Sequence, residues 1–362
     1  MQGKDDSFRL LEAHPPNGGV SAALLIEQPI TPIERLFVRS HGETPYIDAD
    51  VWRLSVTGAV KHPLTLRLND LQRFPRKTIT AALACAGNRR VEMAQIAPIP
   101  GELIWDREAV GCVEWSGYSL AAVLREAGVD SDYTEGLHVA FEAADQVVPA
   151  EGQPFAYGAS IPLAAALDPW VLLADTINGA PLPPDHGGPL RVFAPGTIGA
   201  RSVKWVTRIV VQHRPSDNYY QQRAYKLFPP NVQPDSANWD EALMLGGLPI
   251  NAAIVTPEDR AIVPPGKVPF KGYALSGGQG VARLDLSVDN GSTWVQAALH
   301  GDDLPYAWRL WSVELELGEG DYQVIARAWD HAANTQPEQI IWNFKGYMNN
   351  ACPRIRLQVK GK

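Results

Sequence analysis

Apolar positions along this chain recur mostly with a period of two, in short runs broken by Gly, Pro and Asn-Gly pairs, so strands are expected to dominate. Residues 52–60, "WRLSVTGAV", alternate and close near a glycine, which predicts a strand. "PLTLRLNDLQRFP" (63–75) reads as a strand and then a short helix, with Asn69 as its cap and Pro75 as its stop. The clearest helical period is "SLAAVLREAGV" (119–129): Leu120, Val123, Leu124 and Ala127 share one face, and Gly128 ends it. "LHVAFEA", "WVLLADTINGAPL", "PLRVFAP" and "VKWVTRIVVQ" predict further strands, with Asn178-Gly179 as a hairpin turn. Residues 51–212 thus predict a mixed α+β domain. Beyond roughly Pro230 no helical period of any length remains. Strand-like runs alternate with turn signals such as Asp289-Asn290-Gly291, which is the pattern of a β-sandwich of about a hundred residues.

The boundary is expected between Pro230 and Trp239. The resulting division is an irregular N-terminal arm (1–30), an α+β domain (31–235) and a sandwich domain (236–362). A chain of 362 residues is also too long for one ordinary core. Gly 31 and Pro 30 favour loops and short strands, while 45% hydrophobic and 20% charged residues are ordinary for a globular protein. A net charge of -8 argues against a nucleic-acid partner, so an anionic ligand would need local positive charge. No run of 18 apolar residues is present and no membrane partner is expected; the N-terminus has no apolar leader core. The simplest expectation is a cytoplasmic protein, with a processed periplasmic protein as the alternative.

Chemistry concentrates at "LACAGNRR" (83–90). Three cysteines, Cys85, Cys112 and Cys352, are too scattered for a disulfide framework, and no Cys/His cluster suggests zinc. A free cysteine is usually buried and inert. Around Cys85, however, Arg89 and Arg90 are expected to favour the thiolate, and the small residues leave room above the sulfur. A thiolate either attacks carbon, which calls for a histidine base that sequence cannot locate, or binds a soft metal.

"CAGNRR" resembles the sulfite oxidase family of molybdenum enzymes. So do "FVRSH" (37–41), "YGASIPLAAALDP" (157–169), "INGAPLPPDHGGPLRV" (177–192), "PGTIGARSVKW" (195–205) and "WNFKGYMNN" (342–350), in the same order. The resemblance covers nearly the whole chain. It implies a mixed α+β molybdenum-cofactor domain followed by an immunoglobulin-like dimerisation domain, hence a homodimer. It further implies molybdenum ligated by Cys85 and by the dithiolene of molybdopterin, and oxidation of sulfite to sulfate. No haem or flavin fingerprint is visible, so the electron acceptor is expected to be separate: a cytochrome, another carrier or oxygen. The alternative on the same fold is a nitrate reductase-like or sulfoxide reductase activity.

Carried over position by position, Arg39 and Arg90 match substrate-facing arginines, while Arg89 is left to structural pairs. Trp105 matches a pocket tryptophan at a spacing that needs a one-residue insertion. His41, His186, Arg191 and Lys204 match residues around the pterin and its phosphate, and Arg201 joins the same group. Tyr225 matches the active-site tyrosine, a position at which the resemblance gives nitrate reductases no tyrosine. Lys345 stands where the vertebrate and plant sulfite oxidases carry arginine. It keeps the charge without the planar fork, and the "MNN" after it is more nitrate-reductase-like. Cys112 and Cys352 match no ligand.

Overall fold

The computed structural model describes residues 3–129 and 135–361; the extreme ends of the arm and of the sandwich domain, residues 1–2 and 362, lie outside them. Two five-stranded sheets form the α+β domain. One runs Ala180–Pro181, Leu172–Ile177, Val110–Ser119, Arg76–Ala84, with Arg191–Phe193 also paired to Leu172–Ile177. The other runs Leu64–Leu66, Leu54–Gly58, Val206–Gln212, His138–Ala143, Gly158–Pro162. It is mixed, because Val206–Gln212 pairs parallel with Leu54–Gly58 and antiparallel with His138–Ala143. The helix Leu120–Glu126 buries Leu120, Val123, Leu124 and Ala127 in the core of this second sheet, as its period predicts. Ser119 caps it by accepting from Ala122 N–H, and Gly128 follows at φ 74°.

The C-terminal part is a sandwich. A four-stranded sheet (Asn251–Thr256, Gly266–Leu275, Arg309–Leu317, Ala298–His300) faces a five-stranded one (Ala261–Val263, Arg354–Val359, Gly320–Trp329, Arg283–Ser287, Val295–Gln296). Phe270 and Trp311 from the first share a core with Leu284, Val324 and Leu357 from the second. Both predicted turns take positive φ at their centres: Asn178 and Gly179 at 48° and 76°, Asn290 and Gly291 at 59° and 91°.

Two local expectations are corrected. Residues 1–30 are not wholly irregular: Arg9–Glu12 pairs with Asn17–Gly19, and Ala22–Leu25 makes one helical turn. The turn Leu68–Arg73 is a 3₁₀ helix, and Asn69 lies inside it. Its N-cap is Arg67, whose N–H donates to the Asp70 carboxylate at 2.7 Å. The strands Arg76–Ala84 and Val110–Ser119 are the longest pair of the α+β domain; Val110–Ser119 is buried on both faces nearly throughout, and Arg76–Ala84 over its last four residues, so neither carries a clean alternation.

The two domains are clasped through the loop after Cys85. Arg89 is fully buried in the left-handed conformation at φ 63°. Its guanidinium grips Glu92 at 2.7 and 2.9 Å. It also donates to Asn251 Oδ1, Ala252 O and Ala351 O of the sandwich side at 2.7–2.9 Å. Asn88 adds a bond to the Tyr273 hydroxyl at 2.9 Å. Removing one partner of such a buried pair typically costs about 3–5 kcal/mol. Arg89→Met should therefore lower stability by that order, read as a lower urea midpoint; a midpoint matching wild type would show that the clasp carries no stability.

Candidate active site

The sequence delivers Cys85 to a cavity by ending a strand there. Arg76–Ala84 pairs through Ala84↔Val110, and Cys85 N–H still donates to Ala109 O at 2.9 Å. The chain then turns through Gly87 and Asn88 into the short helix Arg90–Ala94. Gly87 is required: a Cβ there would lie 2.5 Å from the Arg90 guanidinium carbon. Among the described residues, the hydrogen-bond donor to Cys85 Sγ is Gly87 N–H at 3.4 Å. The expectation that Arg89 and Arg90 activate the thiol is corrected. Arg89 is spent on the domain clasp, and Arg90 turns to Gly346 O, Leu103 O and Glu102.

Cys85, Arg39, His41, His186, Arg191, Lys204 and Tyr225 line one cavity, the concave kind of place where small molecules and cofactors bind. The segment 37–41 is fixed by the N-terminal hairpin. Val38 bridges Gly18, and the fully buried Asn17 accepts from Ser40 N–H at 2.6 Å and from Arg39 at 3.2 Å. His41 lies 2.9 Å from the Tyr225 hydroxyl and stacks on Tyr157 with ring planes 7° apart. Tyr225 closes a single π-helical turn, Tyr220–Ala224. Arg191 donates to His186 O and Ser202 O at 2.9 and 2.8 Å. Lys204 donates to Ser40 Oγ and, at 3.1 Å, to Asp185 O.

Four predicted residues do not line that cavity. Trp105 is completely buried and packs edge-on against Phe37, in the same apolar cluster as Cys85. Arg201 donates twice to Leu245 O, at 2.9 and 2.6 Å. Arg90 and Lys345 meet beyond Tyr347, whose ring stacks on Tyr225 with centroids 5.4 Å apart. Cys112 and Cys352 are buried elsewhere; burial pushes the Cys112 thiol up to about 12.

Sequence reading missed Ser40, Asp145, Tyr157 and Ser202 in the cavity wall, and Lys4 beside it. Lys4 Nζ sits 2.7 Å from His186 Nε2 and donates to Ile33 O and Leu36 O, each at 2.9 Å. Nothing in "MQGKDDSF" announces such a role, because the contact spans 182 positions.

The electrostatics are those of an anion site. Arg39, Arg191 and Lys204 face the cavity with two imidazoles, against the carboxylates of Asp145 and Asp185. Burial, then the neighbouring Arg191, draws Lys204 down to about 7; burial draws Arg191 down to about 9. Burial, then Lys4, holds His186 well below the usual imidazole range. Arg201 Nη1 is buried with no hydrogen-bond partner among the described residues. A phosphate-bearing ligand with further oxygen and nitrogen acceptors fits this set, and the one thiol supplies a soft metal ligand.

Comparison with known proteins agrees with that fit. Residues 41–220 match the oxidoreductase molybdopterin binding domain, and residues 242–360 match the Mo-co oxidoreductase dimerisation domain. The sulfite oxidase of Arabidopsis thaliana is 37% identical over 98% of this chain and 94% of its own length. The chain belongs to the sulfite oxidase family. The mitochondrial sulfite oxidase of Mus musculus is 42% identical over 98% of this chain, which spans 66% of that protein's length. The crystal structure of the sulfane dehydrogenase SoxCD from Paracoccus pantotrophus superposes with a TM-score of 0.80 at 26% identity, covering 97% of this chain and 88% of that one. The expected fold class, an α+β molybdenum-cofactor domain followed by a β-sandwich dimerisation domain, is what this sulfite oxidase family member has, and its cofactor is molybdenum with molybdopterin.

Lys204 gives the site a pH signature. The unfolded chain keeps this lysine protonated up to its ordinary value of 10.5, whereas the folded chain releases the proton near 7. Between those values the unfolded state binds the extra proton, so stability of the cofactor-free protein rises with pH. Lys4, lowered to about 8 by burial, adds a smaller part of the same sign. Lys204→Met should flatten the rise of urea midpoints between about pH 7 and 9.5; an undiminished rise would mean the lysine is charged and compensated in the fold.

Proposed function

We propose that this chain oxidises sulfite to sulfate and hands the electrons to a separate acceptor. The observation that carries the reading is the convergence of Cys85, Arg39 and Tyr225 on one cavity that His186, Arg191 and Lys204 also line. Balanced, sulfite and water give sulfate, two protons and two electrons. When bound, the molybdenum cofactor supplies the two-electron oxidation and the transfer of oxygen.

The chain's own residues do the rest. His186, Arg191 and Lys204, with Arg201 behind them, hold the pterin and its phosphate. Ser40 and Asp145, which line the same cavity, would offer polar groups to the cofactor. Cys85 anchors the metal through a thiolate, kept in place by the short bond network of its loop. Arg39 presents a planar pair of donors to the incoming oxyanion. Tyr225 and His41 share a hydrogen bond of 2.9 Å. Burial raises the tyrosine's pKa and, with Arg39, lowers that of His41, so the pair is a neutral phenol and a neutral imidazole. The phenol is thus a hydrogen-bond donor throughout the working pH range, able to hold an oxyanion oxygen and return to His41. The Glu102–Arg90–Lys345 group stands one ring beyond and supplies the remaining positive charge.

Two chains are proposed to pair through the sandwich domain, which buries no metal-binding residue of its own in the cavity above. The acceptor is a cytochrome, another soluble carrier or oxygen, and the compartment is cytoplasmic or, after processing, periplasmic.

The test is steady-state turnover of sulfite by molybdenum-loaded protein of two-chain mass, against ferricyanide, cytochrome c and oxygen, with nitrate reduction run beside it. Sulfite oxidation without nitrate reduction is expected. Losing a charged donor from a desolvated site typically costs about 2–5 kcal/mol, so Arg39→Met should lower kcat/KM for sulfite by roughly thirtyfold or more at unchanged molybdenum content. Nitrate turnover exceeding sulfite turnover would overturn the assignment.

A further inference from the structure

Two cations of the expected substrate pocket already have a partner. Glu102 is nearly buried, with its side chain 10% exposed. One carboxylate oxygen pairs with Arg90 Nη2 at 3.3 Å, and the other with Lys345 Nζ. The Tyr347 hydroxyl donates to the same carboxylate at 3.3 and 3.4 Å. Two cations and a phenol around two carboxylate oxygens are the donor set an oxyanion would use. Glu102 supplies that oxyanion from within the chain.

The cluster is held where it can act on the site. Arg90 cannot withdraw: its Nε and Nη1 are fixed to Gly346 O and Leu103 O at 3.1 and 2.6 Å, and its side chain runs against Gly346, where a Cβ would fall 2.7 Å from Arg90 Cγ. Its guanidinium and Lys345 Nζ lie 4.9 and 5.8 Å from the centre of the Tyr347 ring, which stacks on Tyr225. Burial is the largest influence on both Arg39 and Tyr225, lowering the pKa of the first and raising that of the second, and the Glu102 charge adds a smaller upward push to each. Lys345 is the member that can change partner. It is half-buried, and an ammonium on a four-carbon stem can change partner by rotation, which a fixed guanidinium fork does less readily.

We propose that Glu102 is an internal anion that competes with oxyanions for Lys345 and Arg90, and so sets how tightly this enzyme holds its dianionic substrate and product. This rests on the reading of Arg90 and Lys345 as oxyanion-facing cations. Arg90 and Lys345 carry two positive charges, and Glu102 cancels one of them. An incoming oxyanion takes Lys345 from Glu102, and on product release the carboxylate takes it back. The consequence is weaker ground-state binding of sulfate and easier exit of product. A residue of purely structural value would not show selective control over anion affinity.

The experiment uses the molybdenum-loaded protein and two variants, Glu102→Gln, which keeps shape and loses charge, and Glu102→Asp, which draws the carboxylate back by one methylene. KM for sulfite and the inhibition constant for sulfate should both fall, by roughly tenfold in Glu102→Gln and by less in Glu102→Asp. The dependence of both on ionic strength should steepen, because a larger uncompensated charge is screened. Molybdenum content should match wild type. Sulfate affinity is also measured directly by titration calorimetry on the same loaded proteins, without turnover. If wild type turns over no sulfite, the functional reading fails, yet the calorimetric rise in sulfate affinity still decides the role of Glu102. If Glu102→Gln does not accumulate folded, Glu102→Asp carries the same test. Unchanged or weakened sulfate affinity in the folded variants overturns the proposal.

Discussion

Arg39, Arg191 and Lys204 are held around a cavity that offers Asp145 and Asp185 as counter-charges, and much of the surrounding architecture follows from keeping them there. An uncompensated buried cation costs several kcal/mol. That cost is visible in Lys204 at about 7 and Arg191 at about 9. Carbonyl oxygens offset part of it: His186 O and Ser202 O accept from Arg191, Asp185 O from Lys204, and Leu245 O from Arg201. Carbonyls orient a cation without cancelling its charge, so an anionic cofactor remains the natural partner. The binding free energy of such a ligand is then also folding free energy for the walls around it.

The same constraint explains why distant parts of the chain meet here. The N-terminal hairpin positions Arg39 and Ser40 through Asn17. Lys4 reaches His186 from the N-terminal segment, its Nζ 2.7 Å from Nε2, and burial, then the Lys4 charge, holds the imidazole pKa well below its usual range. On the other side, Arg89 and Asn88 bind the Cys85 loop to the sandwich domain, and Met348 N–H donates to Ala86 O at 2.8 Å. The thiol is therefore fixed from both domains. The sandwich is part of the site's support and brings Lys345 and Tyr347 within reach of Tyr225.

Much of this is legible in the sequence. Strands with a clean alternation, the helix at 120–126 and both Asn-Gly turns appear where the pattern puts them. The strand that carries Cys85 was not legible, nor its neighbour. The neighbour, Val110–Ser119, is buried on both faces and loses the two-residue period, and Gly111 and Gly117 interrupt it because Leu36 and the Leu173 carbonyl leave no room for a Cβ. Motif resemblance singled out Cys85, Arg39, His41, His186, Arg191, Lys204 and Tyr225, and these line one cavity. It could not show that Arg90 and Lys345 face Glu102. That carboxylate sits in "IPGELIWD", the stretch where the spacing to Trp105 needs an extra residue. Side-chain direction at a charged cluster is decided by which partner is nearest in space, and a one-dimensional pattern does not carry that.

Cys85 as the protein's own ligand to the metal is the claim on which the functional account turns. X-ray absorption at the molybdenum K edge of loaded wild type and Cys85→Ser tests it most directly. The account predicts that the variant retains pterin and loses one sulfur scatterer from the metal's shell. The same number of sulfur scatterers in both proteins would contradict it.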